Sequence, residues 1–149
     1  QPLFGRFFAS NDQEKLHLTY RDALIAIGFA STVFYVATMG FPAEITALFN
    51  HEGNAEMQRL AVGGFRLYFT SCLFLGFNLL TIMYFVSTAR DKQAQTLSLL
   101  RGIILVLPFL LLFSTLFGMT GVWLAMPAAE IVVTSIGIRM LRGREKKAA

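Results

Sequence analysis

The sequence predicts an all-α, polytopic membrane protein with four transmembrane helices behind an N-terminal amphipathic segment. Of its 149 residues, 55% are hydrophobic and only 15% are charged, against about 25% charged residues in an average soluble domain. The apolar residues form four runs, each close to the ~20 residues that a helix needs to cross ~30 Å of hydrocarbon. The strongest run lacks the alternation with period two that a transmembrane β-barrel requires. Residues 1–149 therefore form a single transmembrane helical region.

The runs place the spans at about residues 23–41 (span A), 67–89 (span B), 97–117 (span C) and 121–138 (span D). In span C, residues 102–117 include twelve Ile, Leu, Val or Phe, which favour insertion by roughly 4–7 kcal/mol. Arg101 lies beside this run, and we expect its side chain to snorkel to the lipid headgroups. A buried helix of a soluble protein could explain one such run. Four runs without a polar face favour a membrane protein.

Capping residues and prolines predict where the first two spans begin and end. Asn11 followed by Glu14 is typical of a capped helix start, and we expect an interfacial amphipathic helix that continues directly into span A. This helix should end near Phe41, because Pro42 disfavours the α conformation in the residue before it. Asn54 is a plausible N-cap for the next helix. The helix of span B should therefore begin outside the bilayer, well before span B itself.

The second half of the chain contains two connections and two prolines. Asp91 marks a polar turn between spans B and C, and Gly118 with Gly121 marks a tight turn between spans C and D. Pro108 and Pro127 lie inside spans C and D. Each removes one intrahelical donor, so we expect a kink in each helix.

The distribution of positive charge predicts the orientation. Eleven of the 13 Lys and Arg residues lie before span A, between spans B and C, or after span D, and only Arg59 and Arg66 lie between spans A and B. The positive-inside rule then places both ends of the chain in the cytoplasm. We expect a bacterial inner (plasma) membrane. Membrane orientation explains the net charge of +4 better than binding to nucleic acid does.

Glu130 is the main candidate for a functional residue, because an acidic side chain near the middle of a span opposes insertion by ~2.5–3.5 kcal/mol. It should face protein or a water-filled cavity. Two interpretations stay open, namely a carboxylate that responds to protons or cations, and a structural Glu bonded to freed backbone or to neighbouring Ser and Thr. Asn78 in span B is the second candidate, either lining a substrate path or joining helices. No catalytic, cofactor-binding or metal-binding pattern is present, so we expect no enzyme.

Several motifs in the second half of the chain resemble the C-terminal end of MATE (multidrug and toxic compound extrusion) transporters. Their order and spacing agree over about forty-five residues. They are Tyr84-Phe85-Val86-Ser87, Ser98-Leu99-Leu100-Arg101-Gly102, Pro108, and Gly118-Met119-Thr120-Gly121-Val122-Trp123-Leu124-Ala125-Met126-Pro127-Ala128-Ala129-Glu130. The opening Gln1-Pro2-Leu3-Phe4-Gly5 also looks like the exit from the eighth helix of that family, whereas Val86 replaces a Gln that many members carry.

The resemblance implies that spans A to D are the ninth to twelfth helices of a twelve-helix antiporter, within its C-terminal six-helix lobe. The chain would then be the last third of a transporter, and its partners would be the lipid bilayer and the remaining N-terminal helices. Such a protein exports small organic, often cationic, compounds by alternating access, in exchange for H⁺ or Na⁺. The coupling ion stays open, because span B lacks the acid that some sodium-coupled members carry. The resemblance implies that Glu130 and Asn78 belong to the ion or substrate pathway.

Two alternatives to an antiporter follow from the same topology. A related flippase for lipid-linked oligosaccharides should carry more basic residues inside its spans to meet pyrophosphate. A non-transporting, four-helix scaffold subunit would be complete at 149 residues, and the abrupt start at Gln1 argues against it.

Overall fold

The computed structural model describes the backbone of residues 2–148 and the side chains of residues 2–143. The described chain is helical, with no strand among these residues. Its α-helices are α1 (Pro2–Ala9), α2 (Gln13–Gly40), α3 (Pro42–Ala47), α4 (Ala55–Phe69), α5 (Cys72–Ser87), α6 (Asp91–Leu99), α7 (Val106–Phe117) and α8 (Met119–Ala148), and a π-helical segment, Leu100–Ile104, joins α6 to α7.

Four helical stretches are long and apolar enough to cross a membrane. They are Gln13–Gly40, Ala55–Ser87, Asp91–Phe117 and Met119–Gly143, in the order predicted for spans A to D. The predicted fold class is therefore confirmed, and the chain is an integral membrane protein. Each stretch begins before the span predicted for it, and the first two end one or two residues earlier than predicted. The side chains of Arg144, Lys146 and Lys147, which contribute to the predicted orientation, lie outside the described residues, as does Gln1.

The helix of span A confirms one predicted boundary and corrects another. It is continuous over 28 residues and ends at Gly40, beside the predicted end at Phe41. The N-cap, however, is Asp12 and not Asn11. Asn11 has a φ of 54°, a left-handed conformation that Asn tolerates, and it forms the turn after α1. The Asp12 carboxylate then accepts from the Lys15 amide and pairs with the Lys15 ammonium at 2.7 Å. This bonding to Lys15 lowers the pKa of Asp12.

Span B begins as predicted but contains an unpredicted joint. Asn54 caps α4 by accepting from the amides of Glu56 and Met57, well before the apolar run. Between α4 and α5 the hydroxyls of Thr70 and Ser71 bond to the carbonyls of Leu67 and Tyr68. Side chains that bond to the backbone in this way compete with the regular helical ladder. The span is therefore two helices with a short turn between them.

In span C, a wider turn precedes the proline. The Leu105 amide donates to the Leu100 carbonyl at 3.0 Å, a spacing of five residues. The π segment ends at Ile104, whose carbonyl would collide with the ring of Pro108 in a regular α-helix. The structure thus accommodates Pro108 through a π-bulge, a feature that often marks a functional site.

The turn between spans C and D is as tight as the two glycines predict. Gly118 caps α7 with a φ of 58°, a conformation that favours glycine. A Cβ atom on Gly121 would overlap the carbonyl group of Phe113. Close packing also brings Trp123 of span D onto Gly64 of span B, where a Cβ atom would overlap the indole ring.

The core is formed by α1, the first half of α2, the second half of α5, α6 and the middle of α8. Phe4 of α1 makes an edge-to-face contact with Tyr84, with ring centroids 5.8 Å apart, and Tyr84 lies 4.7 Å from Tyr20. Spans B and D are far more buried than spans A and C, which expose large apolar side chains such as Phe29 and Leu111. Spans B and D therefore form the protein-facing layer from which a buried site can be built.

Candidate functional site

Glu130 lies in the most protected part of span D. Its side chain is 0% exposed, and it follows Pro127 by three residues within α8. At 1.5 Å per residue, Glu130 is about 17 Å from the start of α8, near the middle of a ~30 Å hydrocarbon layer. Ala125 and Ala129 lie beside Glu130 on α8 and are both buried. Their small side chains leave room for a neighbouring helix to approach closely. The carboxylate faces protein, one of the two environments expected from the sequence.

Asn78 of span B contacts Glu130 directly. Its Nδ2 donates to Glu130 Oε2 at 2.6 Å and to the Glu130 backbone oxygen at 3.0 Å. Asn78 is itself 1% exposed, and it lies about 14 Å from the end of α5. The structure therefore brings together the two candidate residues that the sequence singles out.

Thr134 completes the polar contacts one turn after Glu130. Its hydroxyl lies 3.1 Å from Asn78 Oδ1 and 2.8 Å from the Glu130 backbone oxygen. A hydroxyl has one proton, so Thr134 donates to one of these acceptors at a time. The nitrogen of the Asn78 amide is thus held by Glu130, and its oxygen is held by Thr134 when the hydroxyl donates to Oδ1.

Arg101 is the fourth member of the site, and the sequence interpretation of it is wrong. Its Nε donates to Glu130 Oε1 at 2.6 Å, and its side chain is only 23% exposed. The guanidinium is thus bonded inside the bundle and does not take the expected snorkelling position, because Glu130 offers a closer partner. A buried carboxylate requires a compensating charge or donor. The guanidinium supplies it from the π segment.

The site therefore joins three spans through one carboxylate. Glu130 of span D receives Asn78 from span B on one oxygen and Arg101 from span C on the other. Every buried side-chain nitrogen and oxygen in the described part of the chain has a hydrogen-bond partner. These contacts offset the unfavourable insertion of Glu130 alone. They also make the packing of the three spans depend on what binds this carboxylate.

The chemistry available to this arrangement is cation binding. Carboxylate, amide, hydroxyl and backbone oxygens of Glu130, Asn78 and Thr134 lie within a few ångströms of one another, and oxygen donors are the ligands of hard cations. A proton or an alkali cation on Glu130 would compete with the guanidinium of Arg101 for the same charge. Among the described residues there is no cluster of His, Cys, Asp and Glu suited to a resident metal ion.

Sequence reasoning missed the role of Arg101 but had a signal for it. Arg101 lies four residues inside the predicted span C, a position that is compatible both with snorkelling and with an ion pair inside the bundle. Charged side chains within spans usually pair with one another, and Glu130 is the acid within span D. The π segment was not predictable from apolar periodicity, although Pro108 indicates some disturbance of the helix.

No protein-family model matches the sequence, and comparison with curated proteins and with solved structures gives no significant match. A functional assignment therefore depends on the residues of the site and on the motifs of the sequence.

Proposed function

We propose that this chain is part of a MATE-like secondary antiporter, which exports small organic, often cationic, compounds in exchange for H⁺ or Na⁺. The observation that carries the proposal is the Glu130 carboxylate, fully buried at mid-membrane depth and held by Arg101 and Asn78 from two other spans. The motifs around Pro108 and Pro127 support the same family. In this proposal both termini of the chain lie in the cytoplasm, and further membrane helices complete the transporter.

In the proposed mechanism, the ion and Arg101 alternate as partners of Glu130. With Arg101 bound to Oε1, spans C and D are joined at the π segment. A proton or Na⁺ that binds the carboxylate weakens this ion pair, and the freed guanidinium favours a different packing of span C. A single ion can therefore change the equilibrium between two arrangements of the helices, provided that its affinity for the carboxylate differs between them. Such coupling is what alternating access requires.

The site also supports the antiporter over its two alternatives. A pyrophosphate-binding flippase needs cationic groups that are available to its substrate, whereas the guanidinium of Arg101 is engaged by Glu130. A passive scaffold has no need of an ion pair in its interior, because well-packed apolar residues of similar volume are often as stable or more so. A mid-membrane carboxylate shared by three spans fits an ion-coupled transporter best.

The experiment uses the protein with all of its membrane helices, reconstituted into liposomes that contain a fluorescent organic cation. An imposed proton or sodium gradient should drive movement of the dye, and collapse of the gradient with an ionophore should stop it. The same liposomes with a fluorescent lipid-linked sugar test the flippase. Movement of the sugar lipid without movement of the dye, or movement of neither in well-folded protein, would overturn the proposal.

A further inference from the structure

A second site candidate lies away from Glu130, at the end of the bundle where α2 begins and α8 ends. A cavity of about 410 Å³ opens there between the first turns of α2, the part of α5 from Phe77 to Tyr84, and residues Ile138–Arg142 of α8. Its walls include Leu24, Phe77, Tyr84 and Ile138, and none of the residues around Glu130 contributes to it. The cavity is therefore separate from the site around Glu130.

The basic groups of the cavity lie towards one end. His17 and Arg142 belong to its lining, and both are solvent-exposed. No acidic residue is among the lining residues of the described chain. Arg142 forms no ion pair with any side chain of residues 2–143. The acidic residues on either side of Gln13, Asp12 and Glu14, both interact with Lys15. Among the described lining residues, Arg142 therefore supplies a positive charge and none supplies a negative one.

The cavity is elongated along the bundle. Its lining on α2 extends from Gln13 to Leu24, which is about 17 Å along the helix axis. This length runs from the polar start of α2 to the apolar level of Leu24 and Phe77. A small anion would leave the apolar walls uncovered, and a purely apolar molecule would leave Arg142 without a counter-charge. An amphiphile with an anionic head satisfies both ends.

We propose that this cavity binds an anionic phospholipid of the leaflet in which α8 ends, with its phosphate beside Arg142 and His17 and an acyl chain along Leu24 and Phe77. Basic pockets between transmembrane helices are suited to anionic headgroups. The proposal is independent of transport, because it concerns retention of a lipid and not movement of a substrate.

Native mass spectrometry of the protein released from detergent tests the proposal, with phosphatidylglycerol and phosphatidylcholine of identical acyl chains as probes. The wild-type protein should retain phosphatidylglycerol more tightly. Arg142→Ala should weaken that binding about fivefold, as expected for one basic residue near an anionic lipid, and Arg142→Lys should restore most of it. Arg139→Ala removes the same charge outside the cavity and should change little. Leu24→Trp, which fills the apolar part, should reduce retention of both lipids.

Equal effects of Arg139→Ala and Arg142→Ala would show a general attraction of the basic surface and overturn the proposal. So would normal binding by a folded Leu24→Trp variant. Failure of the wild-type protein to retain either lipid would also overturn it, as expected if another polypeptide segment covers the cavity.

Discussion

Replacement of Glu130 and Arg101, singly and together, gives the sharpest physical test of the site. Removal of one member of a buried ion pair leaves the other uncompensated, at a cost of about 3–5 kcal/mol. Arg101→Met should reach this range, because the Glu130 side chain is 0% exposed. Glu130→Gln should be milder, at about 2–3 kcal/mol, since Arg101 is 23% exposed and can reach water more easily.

The double variant Arg101→Met with Glu130→Gln should be much more stable than the sum of the single effects predicts, because neither charge is left unpaired. We expect a coupling of at least about 2 kcal/mol. The assay is the free energy of unfolding in mixed micelles, measured by titration with a denaturing detergent. The matched control is the Arg59–Glu56 pair, whose N–O distance is 2.9 Å but whose side chains are both mostly exposed. That pair should show no measurable coupling.

Additive effects at Arg101 and Glu130, with a coupling below about 0.5 kcal/mol, would refute the reasoning. They would mean that water or another donor compensates the carboxylate as well as the guanidinium does. An Arg101→Met variant with a nearly unchanged free energy of unfolding would refute it in the same way.

Three further predictions concern topology and packing. In a background without Cys72, a cysteine at Asn54 should react with an impermeant reagent from outside intact cells, and one at Lys146 should not; labelling at 146 would reverse the proposed orientation. Gly121→Ala should lower the free energy of unfolding by about 1–3 kcal/mol, because its Cβ would overlap the Phe113 carbonyl group; an unchanged melting temperature would contradict this packing. Asn54→Ala should cost about 1 kcal/mol through loss of the cap on α4, and Asn54→Asp should restore most of it.

The spans were predictable from the sequence because each span must satisfy its backbone hydrogen bonds within its own segment of the chain. Any run of about 20 apolar residues must form a helix in lipid, where each backbone donor has to be satisfied within the segment. The caps at Asn54 and Gly118 were also predictable, because a helix cap is determined by residues close to it in the sequence. The start of α2 was misplaced by one residue, since the sequence does not reveal whether Asn11 or Asp12 takes the left-handed turn after α1.

The site was only half predictable. Glu130 and Asn78 stand out because polar side chains in spans are unfavourable, and the structure pairs them. Arg101 did not stand out, because its position near the start of an apolar run is equally compatible with snorkelling. The register of the helix, including the π segment, determines whether the guanidinium reaches the lipid headgroups or the Glu130 carboxylate. Contacts between distant segments of the chain depend on such register, and apolar periodicity alone does not fix it.

The central claim is that the Glu130 carboxylate couples an ion to substrate movement. The most direct measurement compares gradient-driven efflux with substrate exchange at equilibrium, in liposomes that contain the protein with all its membrane helices. The charge-balanced variant Glu130→Gln with Arg101→Gln avoids an unpaired buried charge. We predict that this variant still exchanges labelled substrate for unlabelled substrate but no longer accelerates efflux when a proton or sodium gradient is imposed. Gradient-driven efflux at the wild-type rate would contradict the claim and leave Glu130 a structural residue.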